Sequence, residues 1–232
     1  MFSRQQANMN AALQHPSTSS ITLLPKQPSA RPRGRPRKTL DERDDGNRRL
    51  ALISAAAKLF RRRGFHATTT RHIAAAVGMH PGSPFYHFKT KEALLHAVMD
   101  EGMQSALAQQ AALPLHADQP ARALSLLIRN HFGVLLGPRS DFIPVMLYEW
   151  RSLDTRQRNA VKRQQAAYEA HWLPVLQALK DEGQLRADVH LARLLIFGAL
   201  NWSAQWYSAR KSASLDELTV AAMALFIHSE AA

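Results

Sequence analysis

Apolar residues follow a helical period through most of this 232-residue chain. In the first clear stripe they recur at i, i+3, i+4 and i+7, at Ile53, Ala56, Ala57 and Phe60. The pattern predicts a helix that begins near Asp45 and ends in three arginines at 61–63, where cations suit the helix dipole. Gly64 then suits the position just beyond the last turn.

Two short helices are expected next. Thr69 or Thr70 can cap the first, and Gly78 ends it. The second should start with His80 as N-cap and Pro81 as first helical residue, where a proline loses no hydrogen bond. Two helices joined at a glycine turn predict a helix-turn-helix, whose second helix lies in the major groove of DNA.

Pro84 interrupts this pattern. If the second short helix starts at Pro81, Pro84 is its fourth residue and removes the first i→i−4 hydrogen bond, so the helix should start late or kink. Ser83 precedes a proline and is therefore biased away from helical backbone angles. We expect any base preference to rest on Arg71 and on residues later in the helix.

The remainder of the chain also reads as helical. Lys91 begins a helix that runs to about Ala112, and at least five more follow. Their expected ranges are 119–136, 140–151, 155–182, 188–210 and 215–229. Pro144 and Pro174 lie inside two of these ranges and should kink or shorten those helices. The predicted fold class is all-α.

Positive charge is concentrated in the first two-fifths of the chain. The formal net charge of +12 divides into +6 for residues 1–49, +6 for residues 50–92 and zero for the rest. A basic part joined to a neutral part favours nucleic-acid binding by the basic part. A solvated basic surface would produce the same distribution.

The first 44 residues read as a disordered basic arm. Its segment Pro32-Arg-Gly-Arg-Pro36 resembles an AT-hook, in which prolines keep the chain extended while Arg33 and Arg35 reach along a narrow minor groove. The alternatives are an ordinary basic arm or a start codon assigned too far upstream. Minor-groove contact by these two arginines is the prediction.

Several classes of protein are excluded or disfavoured. The absence of cysteine excludes disulfides, thiolate metal sites and a cysteine nucleophile. No apolar run approaches the ~20 residues that span a bilayer, so a cytoplasmic protein without a membrane partner is expected. The C-terminal histidines lack metal-ligand spacing, and no phosphate loop or nucleophile–base pattern occurs. We therefore expect no metal, no cofactor and no enzymatic activity.

One stretch is specific enough to indicate a family. Thr68-Thr-Thr-Arg-His-Ile-Ala-Ala-Ala-Val-Gly78 is followed at 85–94 by Phe-Tyr-His-Phe-Lys-x-Lys-Glu-x-Leu, and together they resemble the TetR/AcrR family of transcriptional regulators. The resemblance covers about residues 47–96. It implies a homodimer with a three-helix DNA-binding domain at 45–92 and a helical ligand-binding and dimerisation domain at 93–232.

The resemblance also implies functional residues. Contacts with double-stranded DNA would come from Thr69, Thr70, Arg71, Pro81, Gly82, Ser83, Phe85, Tyr86, His87 and Lys91. Lys91 would grip a phosphate at the start of the fourth helix, whereas Phe88 is expected to pack inside the small domain. The last two helices would pair with their symmetry mates through a face that includes Leu191, Leu195, Gly198, Ala199, Trp202 and Trp206.

The effector is predicted from a looser resemblance. Motifs around Trp150, Trp172 and Trp202 look like a TetR branch that senses acyl-CoA thioesters. Aromatic side chains could line an acyl tunnel and arginines could bind the CoA phosphates, which makes candidates of Trp150, Arg151, Arg158, Arg163, Tyr168, Trp172, Trp202 and Trp206. A drug-like or aromatic effector is the second possibility, and tryptophans that merely fill the core are the third.

The predicted function is a ligand-responsive repressor released from a palindromic operator by a small hydrophobic effector. The alternative is an architectural DNA-binding protein dominated by its basic arm, which would bind without sequence preference.

Overall fold

A computed structural model describes residues 40–137, 140–208 and 213–228, with side chains described from Asp45 onward. The regular structure in these ranges is helical, as predicted, and a single 3₁₀ turn occurs at Trp150–Ser152. The α-helices are α1 Leu40–Arg63, α2 Thr70–Ala76, α3 Pro84–His87, α4 Lys91–Ala111, α5 Pro120–Leu136, α6 Phe142–Glu149, α7 Thr155–Ala170, α8 Leu173–Asp181, α9 Val189–Trp206 and α10 Leu215–Phe226. The AT-hook-like segment with Arg33 and Arg35 lies outside the described residues.

Helix α1 begins at Leu40, five residues before the expected start. Its predicted stripe is fully buried, as is Leu52 one residue ahead of it. Gly64 follows with φ +78°, the left-handed conformation that a helix C-terminus favours and that glycine adopts without steric cost. The arginines at 61–63 are exposed on the last turn.

Helix α3, the second of the two predicted short helices, differs from its prediction. It starts at Pro84, with Ser83 as its N-cap, so a start at His80 and Pro81 was wrong. Residues 81–83 form a turn in which the Ser83 N–H donates to the His80 carbonyl at 2.9 Å. Because Pro84 occupies the first helical position, its missing N–H leaves no intrahelical bond unmade. The expected bias of Ser83 was also wrong, since its φ of −60° and ψ of −36° are helical.

The predicted helix at 155–182 is two helices. It breaks after Ala170, and α8 resumes with Pro174 as its second residue, inside the first turn where backbone N–H groups need no partner. Pro144 likewise lies in the first turn of α6, which therefore tolerates it. Both prolines set the start of a helix instead of kinking one.

The described residues from Leu40 onward belong to one compact unit, so the boundary expected between residues 92 and 93 stays a prediction. Helix α4 runs through the centre, in contact with α1, α5, α6 and α7, while α5 packs against α8, α9 and α10. At Gly102, α4 lies so close to α6 that an added Cβ would be 2.6 Å from the Phe142 Cβ. None of the helices described is long and apolar enough to cross a membrane.

Candidate DNA-binding surface and effector cavity

Helices α2 and α3 present exposed side chains on one side of the molecule. Thr69 caps α2, because its Oγ1 accepts the His72 N–H at 3.2 Å, and Arg71 follows in the first turn with its side chain exposed. On α3, Tyr86 is 81% exposed and Phe85 is 51% exposed. Phe88 is buried, as expected. Large aromatic rings left open to solvent on so short a helix suggest a surface that meets a partner.

A groove of about 970 Å³ runs between the start of α1 and α3, and the α2–α3 turn closes it. His87 lies inside this groove with its side chain 8% exposed, and its Nε2 is 3.7 Å from Oδ1 of Asp45. His87 is thus directed toward α1, in contrast to the outward-facing Tyr86. The predicted contacts Pro81 and Gly82 are exposed in the turn, whereas Ser83 and Thr70 are half-buried.

Lys91 has an internal role that the sequence did not reveal. Its Nζ donates to the carbonyls of Phe65 and Thr68 at 2.8 and 3.0 Å, and it lies 4.1 Å from the centroid of the Phe65 ring. Two of its three N–H donors are therefore used to join the start of α4 to the loop between α1 and α2. A phosphate contact by Lys91 would depend on the third donor.

Three hydrogen bonds join the two ends of α6 to the end of α1 and the residue that follows Gly64. Oε1 of Glu149 accepts the backbone N–H of Phe65 at 2.9 Å. Arg61 Nη1 donates to Asp141 Oδ1 and to Ser140 Oγ, both at 3.1 Å. About eighty residues separate the partners in sequence, so no local pattern could have indicated these contacts.

A small cavity lies among α4, α5, α6, α7 and α9. Its volume is about 30 Å³, which is the space of one water molecule in the liquid. The apolar part of its wall consists of Met103, Ala106, Val134, Ile143, Met146 and Phe197. Val134 and Ile143 also line an open groove of about 500 Å³ between α4, α5 and α6, so the groove and the cavity are neighbours.

The wall also contains Gln165, Glu169 and three polar side chains that are connected to one another by hydrogen bonds. His131 Nδ1 is 3.2 Å from the hydroxyl of Tyr168, and His131 Nε2 is 3.1 Å from Oδ1 of Asn201. Burial lowers the pKa of His131 from 6.5 to about 4, against a smaller opposing effect of the Asn201 hydrogen bond. Burial also raises the pKa of Tyr168. Both groups are therefore uncharged at neutral pH.

The predicted ligand residues separate into four groups, of which three lie on or near the later helices. Tyr168 lines the cavity. Trp172 is fully buried beside it and donates from Nε1 to Gln110 Oε1 at 2.9 Å, so it is a core residue and not a wall of the cavity. Trp202 and Trp206 are exposed on α9 and do not belong to the wall of this cavity. Sequence reasoning missed His131 and Asn201, because single polar residues in apolar helices carry no spacing signal.

The other predicted ligand residues lie on a basic surface at the start of α7. Here five cations accompany the single acid Asp154, and they are Arg151, Arg156, Arg158, Lys162 and Arg163. The side chains of Arg151 and Arg163 are exposed, while Trp150 is half-buried with Lys162 Nζ 5.3 Å from its ring centroid. We name residues 150–163 the basic segment.

An apolar face on α9 and α10 is open to solvent. It contains the predicted interface residues Leu191, Leu195, Gly198, Ala199, Trp202 and Trp206, together with Leu194, Val220 and Leu225. Met223 and Phe226 of α10 are half-buried against the core. Buried residues on the opposite side of α9, such as Ile196 and Leu200, supply the contacts within the chain.

Comparison with known proteins agrees with this architecture. Residues 52–98 match the tetR family of bacterial regulatory proteins, and residues 117–229 match the tetracyclin repressor-like C-terminal domain. The HTH-type transcriptional repressor KstR2 of Rhodococcus jostii is 27% identical over 181 residues, which cover 76% of this chain and 87% of that protein.

Two solved structures are similar over most of their length. The superantigen PfiT is 35% identical with a TM-score of 0.65, over 78% of this chain and 97% of PfiT. AibR in complex with isovaleryl coenzyme A and operator DNA has a TM-score of 0.70 at 21% identity, over 77% of this chain and 97% of AibR. The chain, with both halves of the fold matched, belongs to the TetR family of transcriptional regulators.

Proposed function

We propose that this TetR-family regulator is a repressor that binds a near-palindromic operator as a homodimer and is released by an acyl-CoA. The observation that carries the effector is a largely apolar cavity, whose charged wall residue Glu169 is paired with Arg193, in the same helical body as a basic segment of five cations. An acyl-CoA has the same division, with an uncharged acyl chain at one end and phosphates at the other.

The DNA-binding part of the proposal rests on exposure and charge. Arg71, Phe85 and Tyr86 are exposed together on α2 and α3, and residues 50–92 carry a net charge of +6. Arginine and backbone groups at such a surface bind phosphates, and arginine can also read a guanine edge. The arm with Arg33 and Arg35 would add contacts in the neighbouring minor groove.

The homodimer is proposed from the open face on α9 and α10. Several large apolar side chains there are at least half exposed, and Trp202 is 65% exposed. Pairing this face with its own copy would remove the apolar surface from water and place two copies of α3 on one DNA duplex.

The effector would act through α6. Ile143 and Met146 of α6 line the cavity, while Asp141 and Glu149 bind α1 and the loop after it. A ligand that displaces α6 would therefore alter the position of the DNA-binding helices. The ligand must bind the DNA-incompetent state more tightly, since only differential affinity shifts the equilibrium. AibR, whose complex contains both isovaleryl coenzyme A and operator DNA, supports an effector of this class.

Gel shifts on DNA upstream of the chain's own gene test the repressor. We expect a discrete complex that survives nonspecific competitor and dissociates on addition of an acyl-CoA. Binding that competitor removes equally at every site would favour the architectural alternative.

Deletion of residues 1–40 should weaken binding and flatten its salt dependence, because fewer counterions are released. An unchanged slope would mean that the arm does not contact DNA.

The basic segment is tested by charge reversal. Lys162→Glu together with Arg163→Glu should weaken acyl-CoA binding at least tenfold in isothermal titration, because charge-assisted contacts with phosphate are lost. Arg122→Glu together with Arg186→Glu makes an equal charge change away from the segment and serves as the control. Equal loss in both pairs would indicate a general field effect, and no loss in either would place the phosphates elsewhere.

A further inference from the structure

The polar end of the cavity is built from three different helices. His131 comes from α5, Tyr168 from α7 and Asn201 from α9, and these residues are brought together only by packing. His131 and Tyr168 are 6% and 5% exposed, respectively. A buried polar group costs desolvation free energy unless it forms a hydrogen bond. A hydrogen-bonded set of such groups beside an open space therefore points to a ligand.

The hydrogen-bond pattern fixes what this set offers. Because a carboxamide oxygen accepts, His131 donates from Nε2 to Asn201 Oδ1, and its Nδ1 accepts the hydroxyl proton of Tyr168. This network uses the oxygen of Asn201 but not its amide nitrogen. Asn201, which lines the cavity, therefore has N–H donors for a further acceptor. His131 and Tyr168 hold the Asn201 side chain in its orientation.

The charge at the cavity is balanced. Glu169 is the charged residue among the described wall residues, and it forms a partly buried ion pair with Arg193. No unpaired cation faces the space from the described elements around it, and the imidazole is neutral. A carboxylate placed here would lose its hydration without gaining a counterion, whereas a carbonyl would lose little.

We infer that Asn201 donates from its amide nitrogen to an uncharged carbonyl oxygen of the effector, with His131 and Tyr168 as positioning residues. This rests on the proposed function, in which the carbonyl is the thioester of an acyl-CoA. The site thus selects the ester over the free acid of the same chain.

Entry of an acyl chain requires the cavity to expand. At about 30 Å³ it admits a group the size of one water molecule, but Met103 and Met146 form part of its wall. Methionine side chains have three rotatable bonds and repack readily. Their movement would join the cavity to the 500 Å³ groove across Val134 and Ile143.

The test compares ligands that differ only in the carbonyl. Acyl-CoAs with four, six and eight carbons are titrated into the full chain by calorimetry, each beside the S-alkyl-CoA thioether of the same length. At the chain length that binds best, we expect the thioester to bind about 3- to 10-fold more tightly than the thioether. This is the affinity ratio that one net hydrogen bond produces. The free acid of that length should bind more weakly than the ester.

Two variants test whether the thioester preference comes from the His131–Tyr168–Asn201 cluster. Asn201→Leu should bring the ester-to-thioether ratio close to one, and Tyr168→Phe should lower it by releasing His131 and Asn201. Thr219→Val is the control, because it removes a buried hydroxyl that bonds Leu215 on α10, outside the cavity. A variant that is merely less stable weakens both ligands equally and leaves the ratio unchanged.

The outcomes separate the two proposals. An absent ester preference in the wild-type chain, or one that both variants retain, overturns the carbonyl site. If no CoA compound binds, the acyl-CoA function fails, and 2-hexanone against hexane becomes the deciding pair. A ketone preference that Asn201→Leu removes supports the carbonyl site without CoA, and equal binding or no binding of both overturns it.

Discussion

The backbone N–H of Phe65 donates to the Glu149 carboxylate at 2.9 Å, although 84 residues separate them in sequence. Phe65 lies just after α1, and Glu149 is the last residue of α6. The contact therefore joins α6, which lines the cavity, to the loop that precedes α2 and α3. Movement of α6 cannot leave this loop unaffected unless the hydrogen bond breaks.

Glu149→Ala should lower the free energy of unfolding by about 1–3 kcal/mol, because a part-buried N–H loses its charged acceptor. It should also raise the effector concentration needed to release DNA. Urea denaturation and ligand titration of the DNA complex measure the two effects. Glu149→Gln keeps an acceptor oxygen and should retain most of the stability and most of the effector response. Equal loss of stability and response in the two variants would contradict a hydrogen-bond role.

Gly102→Ala should be destabilising although it replaces a helical glycine. The added Cβ would lie 2.6 Å from the Phe142 Cβ, so α4 and α6 must separate, at a cost of about 1–3 kcal/mol. Gly133→Ala in α5 is the matched control. Its Cβ would find nothing nearer than Arg129 Nη1 at 3.9 Å, and gains of up to about 1 kcal/mol are typical of such a change. Thermal unfolding of the two variants should move in opposite directions.

Lys91→Met should lower stability by about 2 kcal/mol, since two backbone carbonyls lose a charged donor. Lys89→Met removes an exposed cation two residues earlier and should leave stability within about 0.5 kcal/mol. The salt dependence of operator binding then tests the phosphate role. A slope that Lys91→Met reduces by about 1.8, which is about 0.9 for each protomer of the proposed homodimer, would show a phosphate contact in addition to the structural one.

Trp202→Glu should yield a folded monomer. The side chain is exposed within the chain, so folding tolerates the charge, whereas an apolar interface would not. Sedimentation equilibrium should show half the wild-type mass and the operator complex should weaken strongly. Leu173→Glu on α8 is a control that should remain a dimer. Dimers from both variants would place the interface elsewhere.

The pKa of His131 predicts acid sensitivity. Because its folded pKa of about 4 lies below the usual 6.5, the unfolded chain binds more protons between these values. Stability should therefore be retained above pH 6.5 and fall as the pH drops toward 4, by about 3 kcal/mol from this group. Urea denaturation across that range measures the slope. His131→Gln should flatten the pH dependence of the free energy of unfolding. Equal slopes for the variant and the wild-type chain would mean that other groups are responsible.

Much of the local structure could be predicted from sequence because it depends on near neighbours. The stripe around Ile53, the Thr69 cap and the turns at Gly64 and Gly78 follow from spacing and from the backbone freedom of glycine. The start of α3 was misplaced, because two prolines three residues apart each satisfy the rule for a first helical residue. Only the turn at 81–83 selects Pro84.

The tryptophans show what sequence by itself could not decide. Trp172 and Trp202 have the same side chain and both lie among apolar residues, yet the first is fully buried and the second is exposed. Their burial depends on which helix face meets a neighbour, and that is set by long-range packing. The sequence determined the family, the all-α fold class and the concentration of positive charge in residues 1–92 through local and composition-based signals. The tertiary structure decided the His131–Tyr168–Asn201 cluster and the α1–α6 contacts, since these bring together residues that lie 37 to 84 positions apart.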